Sequence, residues 1–281
     1  VGYQTLIAVP CYNASKMERV LVQISYITAE MNKDFTRAVE VGARADIGLV
    51  SLRSPVWDRD LEALEGDDIQ RVLDVLSAHS MRPGMLLSPV GKCSITDESK
   101  VTLSGDKLKK TVELARQLGS DSVRVFPFKS PDSAPLGPSQ FDEYAPQIID
   151  RWGPWVEWAA DSGVTLCFEW VTRTIVLTAA EIRCLIDGLG APDHVGAIWE
   201  IDVSAQAGED PAEGYEHIRE LIRDVHIKRF GAGATEEQYL SALTLLQRDG
   251  YNGPLTIEHW GDEGETLEGI EAVRALLGAV E

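Results

Sequence analysis

Four apolar segments in the second half of the chain each finish in a side chain that can move a proton or hold a cation. Leu255–Trp260 reads LTIEHW and runs into Glu258; LCFEW runs into Glu169, AIWEIDVS into Asp202 and DVHIKRF into His226. A carboxylate or imidazole at the end of an apolar run is costly unless it is paired or ligated. A core salt bridge to Arg124 or Lys228 would account for one such residue more readily than for four. Three carboxylates around a neutral imidazole form a ligand set for a divalent cation, which would largely neutralise them. Oxygen-rich donors with one imidazole suit Mn²⁺ first, then Mg²⁺, with Co²⁺ and Zn²⁺ also accommodated.

Those residues need elements that bring them to one place. From Arg19 onward, strand-like and helix-like segments alternate. RVLVQISYI, IGLVSLR, GMLLSPVG, SVRVFPF, VTLCFEW, VGAIWEIDV, DVHIKRF and LTIEHW read as strands. Between them lie stretches of helical periodicity, such as DDIQRVLDVLSAH with apolar Ile69, Val72, Leu73 and Leu76. Asp34 is placed to cap one helix and Thr178, with Glu181 three residues on, to open another as a capping box. Gly119 ends a third, and Pro154 breaks the helical signal between Phe141 and Gly163. Strands separated by helices of this length imply right-handed parallel crossovers. Eight such units predict a single α/β domain, a (β/α)8 TIM barrel over residues 19–281, preceded by an N-terminal extension over 1–18. A doubly wound sheet would carry a glycine-rich phosphate loop after its first strand, and SYITAEMN has no glycine. In a barrel the strand C-termini face one site, which gathers the four ionisable ends.

Composition narrows the partners. The chain has 281 residues, a net charge of −19 and 44% hydrophobic residues. Such a charge argues against nucleic acid as a partner. No run of about 18 apolar residues is present and no basic region precedes an apolar signal core, so neither a membrane nor secretion is expected and the expected location is cytoplasmic. Cys11, Cys93, Cys167 and Cys184 lack metal-binding spacing and read as buried free thiols.

The last 115 or so residues, with the strand FEW, then EIDVSAQAGEDP, DVHIKR and GYNGPLTIEHW, resemble the xylose isomerase-like TIM barrel superfamily, the sugar isomerases and epimerases of the ketose 3-epimerase and endonuclease IV type. The resemblance extends from about Arg19 to the end. It implies that Glu169, Asp202, His226 and Glu258 ligate a divalent metal, and that Glu169 and Glu258 face each other across the substrate and move the proton. Two positions depart from the pattern. Ala205 stands where many members have a substrate-binding histidine three residues after the aspartate, and Arg229 replaces the aspartate of His-x-Lys-Asp. The expected substrate is therefore a small-molecule carbohydrate that bears an acid, a phosphate or a bulky aglycone. Homo-oligomerisation is compatible with the sequence.

Other residues are candidates for the substrate shell. Lys228 could reach a substrate oxygen and Arg229 make one edge of the pocket cationic, while Arg53 and Lys129 could grip an anion or be solvated loop cations. Trp57, Trp170, Phe126, Phe128 and Trp260 could wall a sugar pocket or simply fill the core. His259 follows Glu258 and, on a strand, points away from it.

The leading functional reading is a metal-dependent isomerase or epimerase acting on an α-hydroxy ketone, with glutamates transferring the proton through a metal-stabilised enediolate. The same deprotonation supports β-elimination, hence a lyase or dehydratase, including cleavage of C-glycoside-type bonds in a keto-sugar. An endonuclease IV-like nuclease would need more imidazole ligands than are visible here, since of the 5 histidines only His226 is well placed. A non-catalytic binding barrel would have no need of four ligand-type residues.

Overall fold

The computed structural model describes residues 22–132, 134–190 and 193–280. The extension expected over 1–18, the start of the first expected strand and Cys11 lie outside them. The first half comprises β1 (Gln23–Tyr26), α1 (Thr28–Met31), α2 (Phe35–Arg44), β2 (Leu49–Leu52), α3 (Asp67–Ala78), β3 (Arg82–Leu87), α4 (Glu98–Leu118), β4 (Ser122–Val125) and α5 (Phe141–Asp161). The second comprises β5 (Thr165–Phe168), α6 (Ala179–Leu189), β6 (Val195–Trp199), α7 (Ile201–Gln206), α8 (Pro211–Ile218), β7 (Ile222–Ile227), α9 (Glu236–Arg248), β8 (Pro254–Ile257) and α10 (Glu263–Ala279).

The eight strands form one parallel sheet in the order β1-β8-β7-β6-β5-β4-β3-β2. A parallel bridge between Ile27 and Ser51 joins its two ends. This is the expected (β/α)8 barrel. Short, almost wholly buried strands such as VGAIW and LVSL are what a sheet covered on both faces requires. Inside the barrel Ile27, Met85, Leu87, Cys167 and Ile198 form a small apolar cluster. The larger core lies between the strands and the surrounding helices and includes Trp152, Trp199, Phe35 and Tyr239.

Local signals act largely as the sequence implies. Asp34 accepts the amides of Thr36 and Arg37 at the start of α2, and Gly119 ends α4 with φ 77°. Thr178 accepts the Glu181 amide at 3.2 Å, but the Glu181 carboxylate returns to the Leu177 amide at 2.7 Å, one residue before the cap itself. α5 differs from expectation: it runs through both Pro146 and Pro154 without ending. Proline removes one backbone donor, but Ile148, Trp152, Val156 and Ala159 are buried along one face of this helix. That packing holds the axis across the break. The free thiols also differ: Cys167 is buried, whereas Cys93 is half-buried and Cys184 exposed. No described helix is long and apolar enough to cross a membrane.

Candidate active site

In a β-strand successive side chains alternate sides, so every second residue of β7 points into the barrel. Asp224, His226 and, just past the strand, Lys228 therefore stack in three inward layers. The same alternation places Glu169 two residues beyond interior Cys167, Glu200 two beyond interior Ile198, and Glu258 two beyond Thr256. All of these side chains are buried. The parallel register sets His226 of β7 opposite Thr256 of β8.

The cluster centres on His226. Its Nδ1 lies 2.6 Å from Glu200 Oε1, 3.3 Å from Glu258 Oε2 and 3.7 Å from Glu169 Oε2. Two fixed cations flank it. Arg124 Nη1 meets Glu169 Oε2 at 2.8 Å, while its Nε and Nη2 donate to the carbonyls of Ser88 and Leu87. Lys228 Nζ lies 2.5 Å from Glu200 Oε2, 3.0 Å from Asp202 Oδ1 and 3.6 Å from Glu258 Oε2. Four carboxylates thus face two fixed cations, and the excess negative charge matches one divalent ion.

The hydrogen-bond inventory points the same way. Glu200 Oε1, Glu258 Oε2 and both ring nitrogens of His226 are buried without a hydrogen-bond partner among the described residues. Nδ1 and Glu200 Oε1 are close, but not in hydrogen-bond geometry. Unpaired buried polar atoms cost roughly 1–3 kcal/mol each, and several that converge on one point are the mark of a shared cation. Glu169, Glu200 and His226 each offer a donor atom within 4.8 Å of the others. The residues fit a divalent metal.

Electrostatics follow from burial and crowding. Burial pushes the Glu200 carboxyl up to about 7, against the pull of Lys228 and His226. For Glu258 burial also acts upward, but His226 and Lys228 outweigh it and hold the carboxyl well below its usual range. Burial acts to lower the His226 imidazole, yet Glu258 and Glu200 hold it well above its ordinary value. One layer below, burial pushes Asp224 up to about 7.

The sequence singled out Asp202 rather than Glu200, and the two occupy different places. β6 stops at Trp199, Glu200 follows it directly, and Asp202 lies in the first turn of α7. There its carboxylate meets Lys228 Nζ rather than the imidazole. Glu200 was not among the expected site residues, although it repeats a visible signal: Glu169 follows Phe168, the last residue of β5, and Glu258 follows Ile257, the last of β8.

The substrate-shell candidates divide. Lys228 is inside the cluster. Arg53 stands at its mouth, 2.8 Å from Glu30 Oε1 and 3.9 Å from Glu258 Oε1. Arg229 turns outward to Glu265 at 2.9 Å and lies over the Trp260 ring. Trp260 donates its indole N–H to the Ile227 carbonyl at 2.9 Å and packs edge-on to Phe230. Trp170 is fully buried, and Trp57 packs on Phe35 and under Arg71. His259 does not point away as a strand residue would. Its φ of 55° turns the ring back, with Nδ1 3.8 Å from Glu258 Oε2 and Nε2 3.5 Å from Glu30 Oε1.

Fold and site together define a (β/α)8 barrel with a buried carboxylate–imidazole cluster inside its C-terminal mouth. Residues 37–276 match the family model described as xylose isomerase-like TIM barrel, and the chain belongs to that family. No curated protein sequence matches it. Among solved structures it resembles a 3-keto-D-glucoside 4-epimerase from E. coli, at 16% identity and TM-score 0.72 over 91% of this chain and 99% of the other. It also resembles the IOLI protein with a bound zinc atom, at 16% identity and TM-score 0.75 over 92% and 99%. A third likeness is to a probable 3-DHS dehydratase from Bacillus anthracis, at 15% identity and TM-score 0.70 over 90% and 98%.

Proposed function

We propose that this chain is a divalent-metal-dependent isomerase or epimerase acting on a sugar or sugar derivative that presents an α-hydroxy ketone. The observation that carries this reading is the convergence of unsatisfied Glu200 Oε1, His226 Nδ1 and Glu258 Oε2 beside Glu169, with Arg124 on Glu169 Oε2 and Lys228 on Glu200 Oε2. Glu169, Glu200, His226 and Glu258 would hold the ion, with Asp202 steadying Lys228. Bound there, a divalent cation would supply Lewis-acid polarisation of a carbonyl and its neighbouring hydroxyl.

The proton chemistry belongs to the chain. Glu169 and Glu258 come from β5 and β8 and approach the mouth from different sides. Glu258, kept ionised by its cationic neighbours, is the base that removes the proton next to the carbonyl. Glu169, oriented by Arg124, serves the opposite face and delivers there a proton drawn from solvent, while the proton taken by Glu258 returns to solvent, so both carboxyls regain their starting state. Lys228, fixed between Glu200 and Asp202, sits one layer nearer the mouth than His226, within reach of a substrate oxygen. Arg53 and His259 border the entrance and select for polar or anionic substituents. Small-molecule carbohydrate derivatives bearing an acid, a phosphate or an aglycone are accordingly the substrates to try first.

A lyase or dehydratase shares the deprotonation step, and the likeness to a probable dehydratase keeps that outcome in the test. Metal content is measured by elemental analysis of the purified protein. A panel of keto-sugars and their acids is then incubated in deuterated water. Deuterium at the carbon next to the carbonyl, with product of the same mass class, supports isomerisation; loss of a leaving group signals elimination. A metal-free protein that exchanges no proton on any ketose would overturn the proposal.

A further inference from the structure

Beneath the cluster lies a carboxylate with no part in the proton transfer just described. Asp224 is fully buried inside the barrel, two residues before His226 on β7. Its Oδ1 accepts the Val225 amide at 2.8 Å and the Thr256 hydroxyl at 2.9 Å, and its Oδ2 lies 2.8 Å from the same hydroxyl. Oδ2 is also 4.0 Å from His226 Nε2. Among the described residues no other acidic group comes within 4.0 Å of that nitrogen. Nε2 itself has no hydrogen-bond partner.

These facts constrain the imidazole. Nδ1 faces Glu169, Glu200 and Glu258, so a ring that ligates a cation must present Nδ1 unprotonated and carry its proton on Nε2. A buried N–H needs an acceptor, and the groups that orient a ligating histidine are commonly carboxylates. We infer that Asp224 is the positioning residue of this centre: it takes the Nε2 proton of His226 as a hydrogen bond and so fixes the tautomer that leaves Nδ1 free. The inference rests on the metal-site reading above. At 4.0 Å the two atoms are not hydrogen-bonded in the structure, so the inferred contact requires them to close by about 1 Å when the ion is bound. Thr256 fits the role. It lies opposite His226 and two residues before Glu258, and its hydroxyl holds the Asp224 carboxylate in place beneath both ligands.

The test compares wild type with Asp224→Ala, Asp224→Asn and Thr256→Val, each titrated with Mn²⁺ or Zn²⁺ by calorimetry. In parallel, ¹⁵N-histidine NMR of the Zn²⁺-loaded proteins reads the tautomer of His226. Asp224→Ala is expected to weaken metal binding by roughly 10–100-fold and to lose the uniform Nε2–H signature. Asp224→Asn, which keeps one acceptor oxygen, should recover part of both. Thr256→Val should lose less than Asp224→Ala and keep the tautomer. Should Asp224→Ala not fold, the wild-type spectrum and Thr256→Val still decide. Wild-type His226 protonated on Nδ1, or unchanged affinity in Asp224→Ala, overturns the inference alone. A wild type that binds neither metal overturns the metal-site reading and the inference with it.

Discussion

Replacing Lys228 with methionine should produce a protein that is less stable when empty yet binds a divalent cation more tightly. Nζ lies 2.5, 3.0 and 3.6 Å from carboxylate oxygens of Glu200, Asp202 and Glu258. At an effective dielectric near 20, each contact of about 3 Å is worth roughly 5 kcal/mol before desolvation. Desolvation of the lysine offsets much of that, and stripping one partner from a buried pair typically costs about 3–5 kcal/mol. For a chain of 281 residues that is a drop of roughly 5–9 °C in apo melting temperature. Methionine fills the stem's volume without the charge, so four carboxylates then face Arg124 alone. A divalent ion meets less competition for their lone pairs, and affinity should rise at least tenfold, about 1.4 kcal/mol. The measurement belongs near pH 8.5: Lys228 holds the Glu200 carboxyl down, and without it a proton on Glu200 would mask the gain at neutral pH. Calorimetric titration gives the affinity, and melting curves with and without saturating metal give the stability. If the variant binds metal no tighter, or loses as much stability loaded as empty, the charge-balance reasoning is wrong.

Further outcomes follow from the same geometry. Glu169→Gln and Glu258→Gln should each lose about 10²–10⁴-fold in turnover, with metal content measured for both; near-wild-type proton exchange in a variant that retains metal reduces that glutamate to a ligand. Glu200→Gln should cost far more metal affinity than Asp202→Asn, since one oxygen faces His226 Nδ1 and the other residue meets Lys228; the reverse order would return Asp202 to the ligand set. Metal affinity should climb with pH, because the ion displaces protons from His226, held above its ordinary value, and from Glu200, near 7. The rise approaches tenfold per unit for each proton released, so it is steepest below about pH 7, where both groups hold a proton, and continues more gently above it while His226 stays protonated; a flat profile through neutral pH would contradict the proposed ligands.

How far the sequence carried this picture depends on which physical signal each residue leaves. Barrel and strand count were legible because apolar runs and helical periodicity recur eight times, and burial on both faces leaves little freedom in how such a pattern folds. The gathering of Glu169, His226 and Glu258 in one buried cluster was legible for a related reason: each breaks an apolar run at its end. The run VGAIWEIDV did not reveal which carboxylate meets the imidazole because both Glu200 and Asp202 fit a strand's inward alternation, and β-branched Ile201 and Val203 favour extending the strand in reading. In the structure the chain turns into α7 at Ile201, which leaves Glu200 at the depth of Glu169 and Glu258 and lifts Asp202 toward Lys228. His259 was misjudged through the same assumption, that a strand's alternation persists past its last ladder residue; a φ of 55° ends it there. Both departures from expectation sit where strand becomes loop, and that is where a barrel enzyme's chemistry is concentrated. Alternation therefore identifies inward residues to one position past the last strand residue, where Glu169, Glu200, Lys228 and Glu258 lie, and no further. Depth relative to the last apolar residue is the better guide, and by that measure Phe168–Glu169, Trp199–Glu200 and Ile257–Glu258 are three instances of one feature.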